Sequence, residues 1–377
     1  MYGVGDHGGG PTRADLRRAR EIAKWPVFPV VKLSTTDAFY SAIESGDLKL
    51  PVINKDLNFT FEGCYTSQSN IKRATRVSEI ILPDTEIAVL AAGMNYPGDQ
   101  LLKSWRDTLF NHFHDILPGS AIGEVYRQAL VDHARIAAMA AEVRDTAVRG
   151  LISIGKESGG GVVATNSLSW PRGDVAIATI ACVDGPVELV AADGHAVPGQ
   201  IVARRDGQVD VAFAPESLPP IGYTAYTVRP AAQAPEHSLR ITTHEVENRF
   251  FLLELAEDGS IVRLLDKRYR RELVPEGEAL NRLQLFQDGP EREAAWNIHA
   301  TFEKRTYAWN PGTSMEVVEQ GPVRGAVRIV RRYRQSRIEQ DLVLYDRVPR
   351  IDFVTRADWQ ERQVMLKAAF PLEVRSP

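Results

Sequence analysis

From Ser69 to about residue 150, apolar residues recur every three or four positions, the period of helices that bury one face. The spacing predicts a first helix over Ser69–Ala92, with Ile71, Val77, Ile80 and Ile81 turned inward and Pro83 expected to kink or split it. A second stripe, Leu101, Leu102, Trp105, Leu109, Phe110 and Phe113, predicts a helix over Asp99–His114 that Pro118-Gly119 breaks. Ser120 is placed to cap a third helix, and Glu124 sits in its first turn, where negative charge suits the dipole. Its inward positions run through Ile122, Val125, Tyr126, Leu130, His133, Ile136, Ala137, Ala140, Val143 and Ala147. The alanines permit close approach, and the three segments read as an antiparallel bundle.

The period changes after Lys156 to Gly161, a glycine-rich linker. Short β runs follow at Val162–Asn166, Val175–Cys182, Val187–Ala191, Val209–Phe213 and Tyr223–Val228, with turn signals between them, and predict a small antiparallel domain. From Leu239 the runs lengthen: Phe250–Leu255, Ile261–Leu265, Leu283–Phe286, Val323–Tyr333 and Asp341–Tyr345. Asp258-Gly259 marks a hairpin. A large β-sandwich is the expected form, and Ala369–Val374 still reads as strand, so the last domain is expected to be cut short.

Composition narrows the function classes. The 377 residues are 25% charged and 44% hydrophobic, with a net charge of −4, which gives no electrostatic case for a nucleic-acid partner. No apolar run approaches the ~20 residues that span a bilayer, and Met1 to Asp6 has no basic or apolar leader, so neither a membrane partner nor a signal peptide is expected. Cys64 and Cys182 form no disulfide framework, which favours a reducing, cytoplasmic setting.

Three segments carry candidate chemistry. In Asn111–Ser120 two histidines and an aspartate converge where a helix ends; neutral imidazole ligates zinc, but from spacing alone a histidine capping the helix C-terminus is the plainer reading. Gly3 to Thr12 contains a Gly-x-Gly-x-x-Gly pattern without the preceding strand and following helix that a dinucleotide site needs. It suits a loop that brings backbone close to a ligand while Asp6 projects toward it, or a plain terminal loop. Phe61 to Gln68 puts aromatic and polar side chains before a helix, as a sugar site would; the structural alternative makes Thr66 or Ser67 an N-cap and Tyr65 a buried staple.

These segments, in this order, resemble the glycoside hydrolase family 38 α-mannosidases, especially their bacterial branch. Gly5-Asp6-His7-Gly8-Gly9-Gly10-Pro11-Thr12 resembles a loop near the end of the family's catalytic domain. Gly63-Cys64-Tyr65-Thr66-Ser67-Gln68 with Lys72-Arg73 looks like the start of its helical middle domain. Phe113-His114-Asp115-Ile116-Leu117-Pro118-Gly119-Ser120 is similar to its active-site segment between bundle helices. Asn166-Ser167-Leu168-Ser169-Trp170-Pro171 and Leu218-Pro219-Pro220-Ile221-Gly222-Tyr223 match its first β domain, and Glu247-Asn248-Arg249-Phe250-Phe251 and Asn281 to Asp288 its supersandwich.

The resemblance implies a multidomain α + β chain: a helical bundle, an antiparallel β domain and a galactose mutarotase-like β-supersandwich. The implied divisions are 1–58, the C-terminal end of a catalytic α/β domain; 59–158, helical; 159–232, small β; and 233–377, supersandwich. The implied activity is retaining hydrolysis of α-mannoside oligosaccharides with a zinc cofactor. It implies His114 as a zinc ligand, Asp115 as a substrate contact, Asp6 as acid/base, and Phe61 and Tyr65 as substrate-binding residues. The chain departs from the family in having no His-x-Asp zinc pair and no nucleophile segment ahead of the glycine-rich loop. The zinc site is therefore expected to be incomplete, and the chain inactive by itself. Where the family often flanks an Ala-Trp pair with acids, this chain reads Ala294-Ala295-Trp296-Asn297, a change expected to affect packing more than chemistry. Two other readings stay open: a carbohydrate-binding or assembly module, with Trp296, Trp309 and Trp359 as sugar-binding or core residues, and an aldose epimerase-like protein using His237, His244 or His299. Association into a homo-oligomer is open as well.

Overall fold

The computed structural model describes residues 9–27, 30–54, 61–154, 161–233, 235–289, 293–299 and 301–374. The chain divides into two compact units, Met1–Phe59 and Thr60–Pro377. In the first unit, α1 (Arg13–Ile22) starts at a capping box in which Thr12 and Asp15 satisfy each other's backbone amides. Helix α2 (Thr36–Glu44) is capped by the Thr35 hydroxyl. Leu16, Ile22 and Phe39 line a groove of about 850 Å³ in this unit.

The second unit opens with a bundle of α3 (Ser69–Ala91), α4 (Gly98–Phe110) and α5 (Gly123–Ile154). The seam of α3 is Ile71, Thr75, Ser78, Leu82, Thr85 and Val89, spaced four and three apart. It meets Tyr126, Ala129, His133, Ile136, Ala140 and Ala147 of α5. Small residues let the helices close: the Thr85 hydroxyl donates to the Ala140 carbonyl at 3.1 Å. The seam corrects the inward face read from hydrophobicity. Val77 and Ile80 lie off it and are 43% and 55% exposed, because hydroxyl residues that bond inside the bundle occupy the facing positions. Helix α4 likewise buries Leu101, Ser104 and Thr108 and leaves Leu102, Leu109 and Phe110 exposed, and Phe113 beyond its end is exposed too. It ends at Phe110, short of His114, and α5 starts at Gly123 with Ile122 and Leu130 outside the seam. Pro83 lies inside α3 and does not split it, the helix running on to Ala91.

Residues 155–160, with most of the expected glycine linker, lie outside the described residues. Beyond them β1 (Gly161–Asn166), β2 (Ala176–Ala181), β3 (Val187–Ala191), β4 (Ala196–Arg205), β5 (Gln208–Phe213) and β6 (Gly222–Pro230) form one antiparallel sheet in the order β1-β6-β3-β4-β5-β2. Val187, Leu189, Val197, Val211 and Phe213 fill its core. The Ser167 hydroxyl ties this domain to α3 through Asp84 at 2.6 Å.

The C-terminal region holds three further antiparallel sheets. One is β11-β10-β9-β8-β7, from β7 (Arg240–Ile241), β8 (Glu245–Glu247), β9 (Phe251–Leu255), β10 (Ile261–Asp266) and β11 (Arg271–Glu272). Another is β14-β15-β16-β17, from β14 (Ser314–Gln320), β15 (Arg324–Tyr333), β16 (Ser336–Tyr345) and β17 (Ile351–Asp358). Val246, Leu253 and Ile261 of the first pack on Val327, Ile329, Leu342 and Leu344 of the second, making a sandwich. The third sheet, β13-β12-β18, joins β12 (Arg282–Gln287), β13 (Thr306–Tyr307) and β18 (Val364–Ala369). Strand β18 ends at Ala369, so the strand expected over Ala369–Val374 lies too late in the sequence. Trp309 and Trp359 pack against the cluster of Leu285, Tyr333 and Val364, the core reading of both. Gln200 stitches the two β regions together by accepting from the amides of Val323 and Arg324, both at 2.9 Å.

Candidate functional site

Two loops of the middle domain meet beside α3. The first starts at Phe61 in a left-handed conformation (φ 62°), makes a short 3₁₀ turn over Glu62–Tyr65 and enters α3 through Gln68, also left-handed at φ 53°. The N-cap assignments to Thr66 and Ser67 are corrected here. Gln68 holds the cap position, while the Ser67 hydroxyl donates to the Ala295 carbonyl at 2.7 Å in the C-terminal region. Nor is Tyr65 a buried staple, being 65% exposed.

The second loop, residues 111–122, leaves α4 and turns back into α5. Tyr126 organises it: the phenol accepts from the Ala121 amide at 2.6 Å and donates to the Asp115 carbonyl at 3.3 Å. Burial raises the Tyr126 pKa, so the phenol keeps the proton it donates. Ser120, expected as a helix cap, instead donates to the Asp115 carboxylate at 3.3 Å.

Lys72 fastens the two loops. Its ammonium donates to the carbonyls of Ser67 at 2.5 Å and Leu117 at 2.9 Å, and burial lowers its pKa. Gly119 brings the backbones together: at φ +89° it lies so close that a Cβ would sit 2.5 Å from the Ser67 carbonyl oxygen.

The result is a cavity of about 620 Å³ with Phe61, Tyr65, Glu79, His114 and Trp296 in its lining. The His114 side chain is 75% exposed, its ring lies tilted against Phe113 with centroids 4.2 Å apart, and its Nε2 is 3.6 Å from the Asp115 carboxylate. His112 is not itself in the lining, and its Nε2 lies 3.0 Å from the carboxylate of Glu79 on α3. Cys64 also lines the cavity; burial raises its pKa, which makes it a poor thiolate nucleophile. Asp6 lies outside the described residues. The structure thus brings Phe61, Tyr65 and His114 to one cavity and Asp115 to the flank of His114.

Sequence reasoning named two further contributors without placing them at the site. Lys72 was legible only as part of a longer motif, and no local pattern marks the contacts it makes. Trp296 was read as a sugar-binding or core residue, with the core the plainer reading, yet it lines the cavity. Its loop is hydrogen-bonded to residues more than 200 positions earlier, which no periodicity reports.

A zinc ion takes three or four protein ligands. His114 and Asp115 offer two donors, and among the described residues no group of three His, Cys, Asp or Glu side chains could hold a metal. The described residues do not make a zinc site by themselves. No helix among them is long and apolar enough to cross a membrane.

Comparison with known proteins agrees with this architecture. Residues 60–151 match the alpha mannosidase middle domain, and residues 246–377 match the C-terminal domain of glycosyl hydrolases family 38. Alpha-mannosidase 2C1 of Mus musculus is 28% identical over 386 residues, covering 100% of this chain and 35% of its own length. An alpha-mannosidase of Saccharomyces cerevisiae is 37% identical over 147 residues, 35% of this chain and 14% of its own. The crystal structure of an alpha-mannosidase from Enterococcus faecalis V583 shares the fold, with a TM-score of 0.65 at 15% identity over 96% of this chain and 50% of that one. The chain spans about a third of the length of the curated relatives it matches from end to end. Two domain matches, on either side of residues 152–245, and relatives that align across its whole length place this chain in glycoside hydrolase family 38, as the carrier of the family's middle and C-terminal domains.

Proposed function

We propose that the chain serves the hydrolysis of α-mannosides and supplies one side of the sugar site. The observation that carries this reading is the cavity itself. It exposes His114, flanked by Asp115, beside the aromatic rings of Phe61 and Tyr65, on loops that Lys72 and Gly119 hold together. In the proposal Asp115 accepts hydrogen bonds from sugar hydroxyls, and the two rings cover the apolar face of the pyranose. His114 is assigned as one zinc ligand; because the described residues supply no complete site, no step is routed through the metal. Retaining hydrolysis needs a carboxylate nucleophile and an acid/base. The proposal gives neither role to a described residue and leaves them to the part of such an enzyme beyond the third that this chain matches. A reducing, cytoplasmic setting belongs to the same proposal, supported by free thiols at Cys64 and Cys182.

The test is turnover of an aryl α-mannoside, with zinc titrated, by the purified chain alone and combined with a family 38 catalytic domain. The chain alone is expected to be silent and the combination active. His114→Ala should lower zinc affinity in the combination, and Asp115→Asn should weaken turnover more than metal binding. Zinc-dependent turnover by residues 1–377 alone would overturn this division of roles, as would a combination indifferent to His114.

A further inference from the structure

We propose that Trp296 forms an aromatic wall of a pyranose-binding subsite beside His114, so that the C-terminal region takes a direct part in carbohydrate recognition. The identity of the sugar rests on the α-mannoside reading above; the wall rests on geometry.

Trp296 is half-buried and lines the same cavity as Phe61, Tyr65 and His114. Its position is fixed from the backbone. The Gly63 amide donates to the Trp296 carbonyl at 2.9 Å, the Ser67 hydroxyl to the Ala295 carbonyl at 2.7 Å, and the Phe61 amide to the Asn297 side chain at 3.3 Å. Gly63 is required for this approach, since a Cβ there would lie 2.9 Å from the Trp296 carbonyl carbon. Phe61 accepts an unfavourable left-handed backbone, and its ring meets Trp296 edge-on at 5.2 Å. Such strain on a bulky residue persists only where surrounding contacts hold it, and here they hold two aromatic rings at the mouth of a cavity.

The contrast with Trp309 separates this ring from a core tryptophan. The Trp309 indole donates to the Leu283 carbonyl, and its ring packs into an apolar cluster. Trp296 faces a cavity that also presents Lys72, Glu79 and His114. A wholly apolar ligand would displace water from the exposed His114 imidazole and offer it no hydrogen bond in return. A pyranose meets both demands, with C–H groups on its face for the indole and hydroxyls at its rim for the polar groups.

The test uses the chain as it is, with its tryptophan indoles and histidine side chains labelled for NMR and the Trp296 signal assigned by its loss in Trp296→Phe. The probe is an α-linked mannobiose, with maltose as a second sugar. The expected result is a saturable shift of the Trp296 signal with mannobiose and no shift of Trp309. Affinity should fall about tenfold in Trp296→Ala and less in Trp296→Phe, which keeps a ring. Trp309 dispersion in each variant reports that the sandwich is folded. If mannobiose moves the His114 signal and leaves Trp296 still, the wall is wrong and the mannoside reading stands. If Trp296 responds equally to maltose, the wall stands and the choice of mannose falls. If neither sugar moves any signal, the wall is refuted.

Discussion

Replacing Lys72 with Met removes the fastening between the two site loops while keeping an apolar stem of similar length. Two carbonyls, of Ser67 and Leu117, lose a charged donor. At about 1.5–3 kcal/mol per charge-assisted bond the gross loss is about 3–6 kcal/mol. Part is returned, because the buried ammonium no longer has to be kept out of water, a cost already visible in its lowered pKa. A net loss of about 2–3 kcal/mol is expected, and it should be local. The Ser67 and Gly119 amides, bonded to Gly63 and Ile116, report it by hydrogen exchange. At 1.4 kcal/mol per factor of ten, their exchange should quicken about 30- to 140-fold. Amides in β15 of the C-terminal sandwich should be unchanged. Acceleration under about threefold at Ser67 and Gly119, or an equal acceleration in β15, would show that Lys72 is not the fastening.

Two further outcomes follow from the bundle and its turns. Burial holds the His133 pKa below its ordinary value, opposed by Asp132 and Glu79 and aided by His112, while Ser78 at 2.8 Å and Thr75 at 3.3 Å bond the ring. A base depressed in the folded state contributes stability that is full above its unfolded pKa of about 6.5 and is lost as pH falls through the folded value. The melting temperature should therefore drop with acid below about pH 6.5, and His133→Gln should flatten that drop; an unchanged slope would remove His133 as its source. Gly119→Ala should cost more than Gly93→Ala in thermal unfolding. Both glycines have positive φ, worth about 1–2 kcal/mol against a side chain, but only Gly119 also meets backbone, the added Cβ at Gly93 finding open space. Equal losses would mean that the close approach to Ser67 is not maintained in solution.

The architecture was legible where a single periodicity carries it. The change from period 3.6 to short β runs near Gly161 separated bundle from sheets, and apolar runs bounded by turn signals, Val187–Ala191 and Ile261–Leu265, located strands directly. Strand β4 escaped notice because Pro198 and Gly199 break its pattern, although Gly199 is where Val187, Leu189 and Val211 close in. Burial within α3 was misread at Val77 and Ile80 because its seam is built partly from Thr75, Ser78 and Thr85, which hydropathy counts as surface. At the site, His114, Asp115, Phe61 and Tyr65 stood out through their motifs. The bonds that gather them run from Lys72 to Leu117 and from Ser67 to Ala295, and pairing across such distances leaves no mark in a local pattern.

The separation of Ser67 from Ala295 also has a consequence in time. The Ser67 loop leaves the ribosome 228 residues before the carbonyl it bonds. At about 5–20 residues per second, that is a wait of roughly 11 to 46 seconds. The helical bundle, whose contacts are nearer in sequence, can form during that wait, whereas the cavity wall cannot. A nascent chain stalled before residue 295 would carry a folded bundle in which the Ser67 hydroxyl and the Gly63 amide lack their partners and the Phe61 ring lacks Trp296 beside it. Completion of the cavity thus waits on synthesis of the C-terminal region, and translation arrest before residue 295 should yield chains that fold as helices and lack the cavity wall.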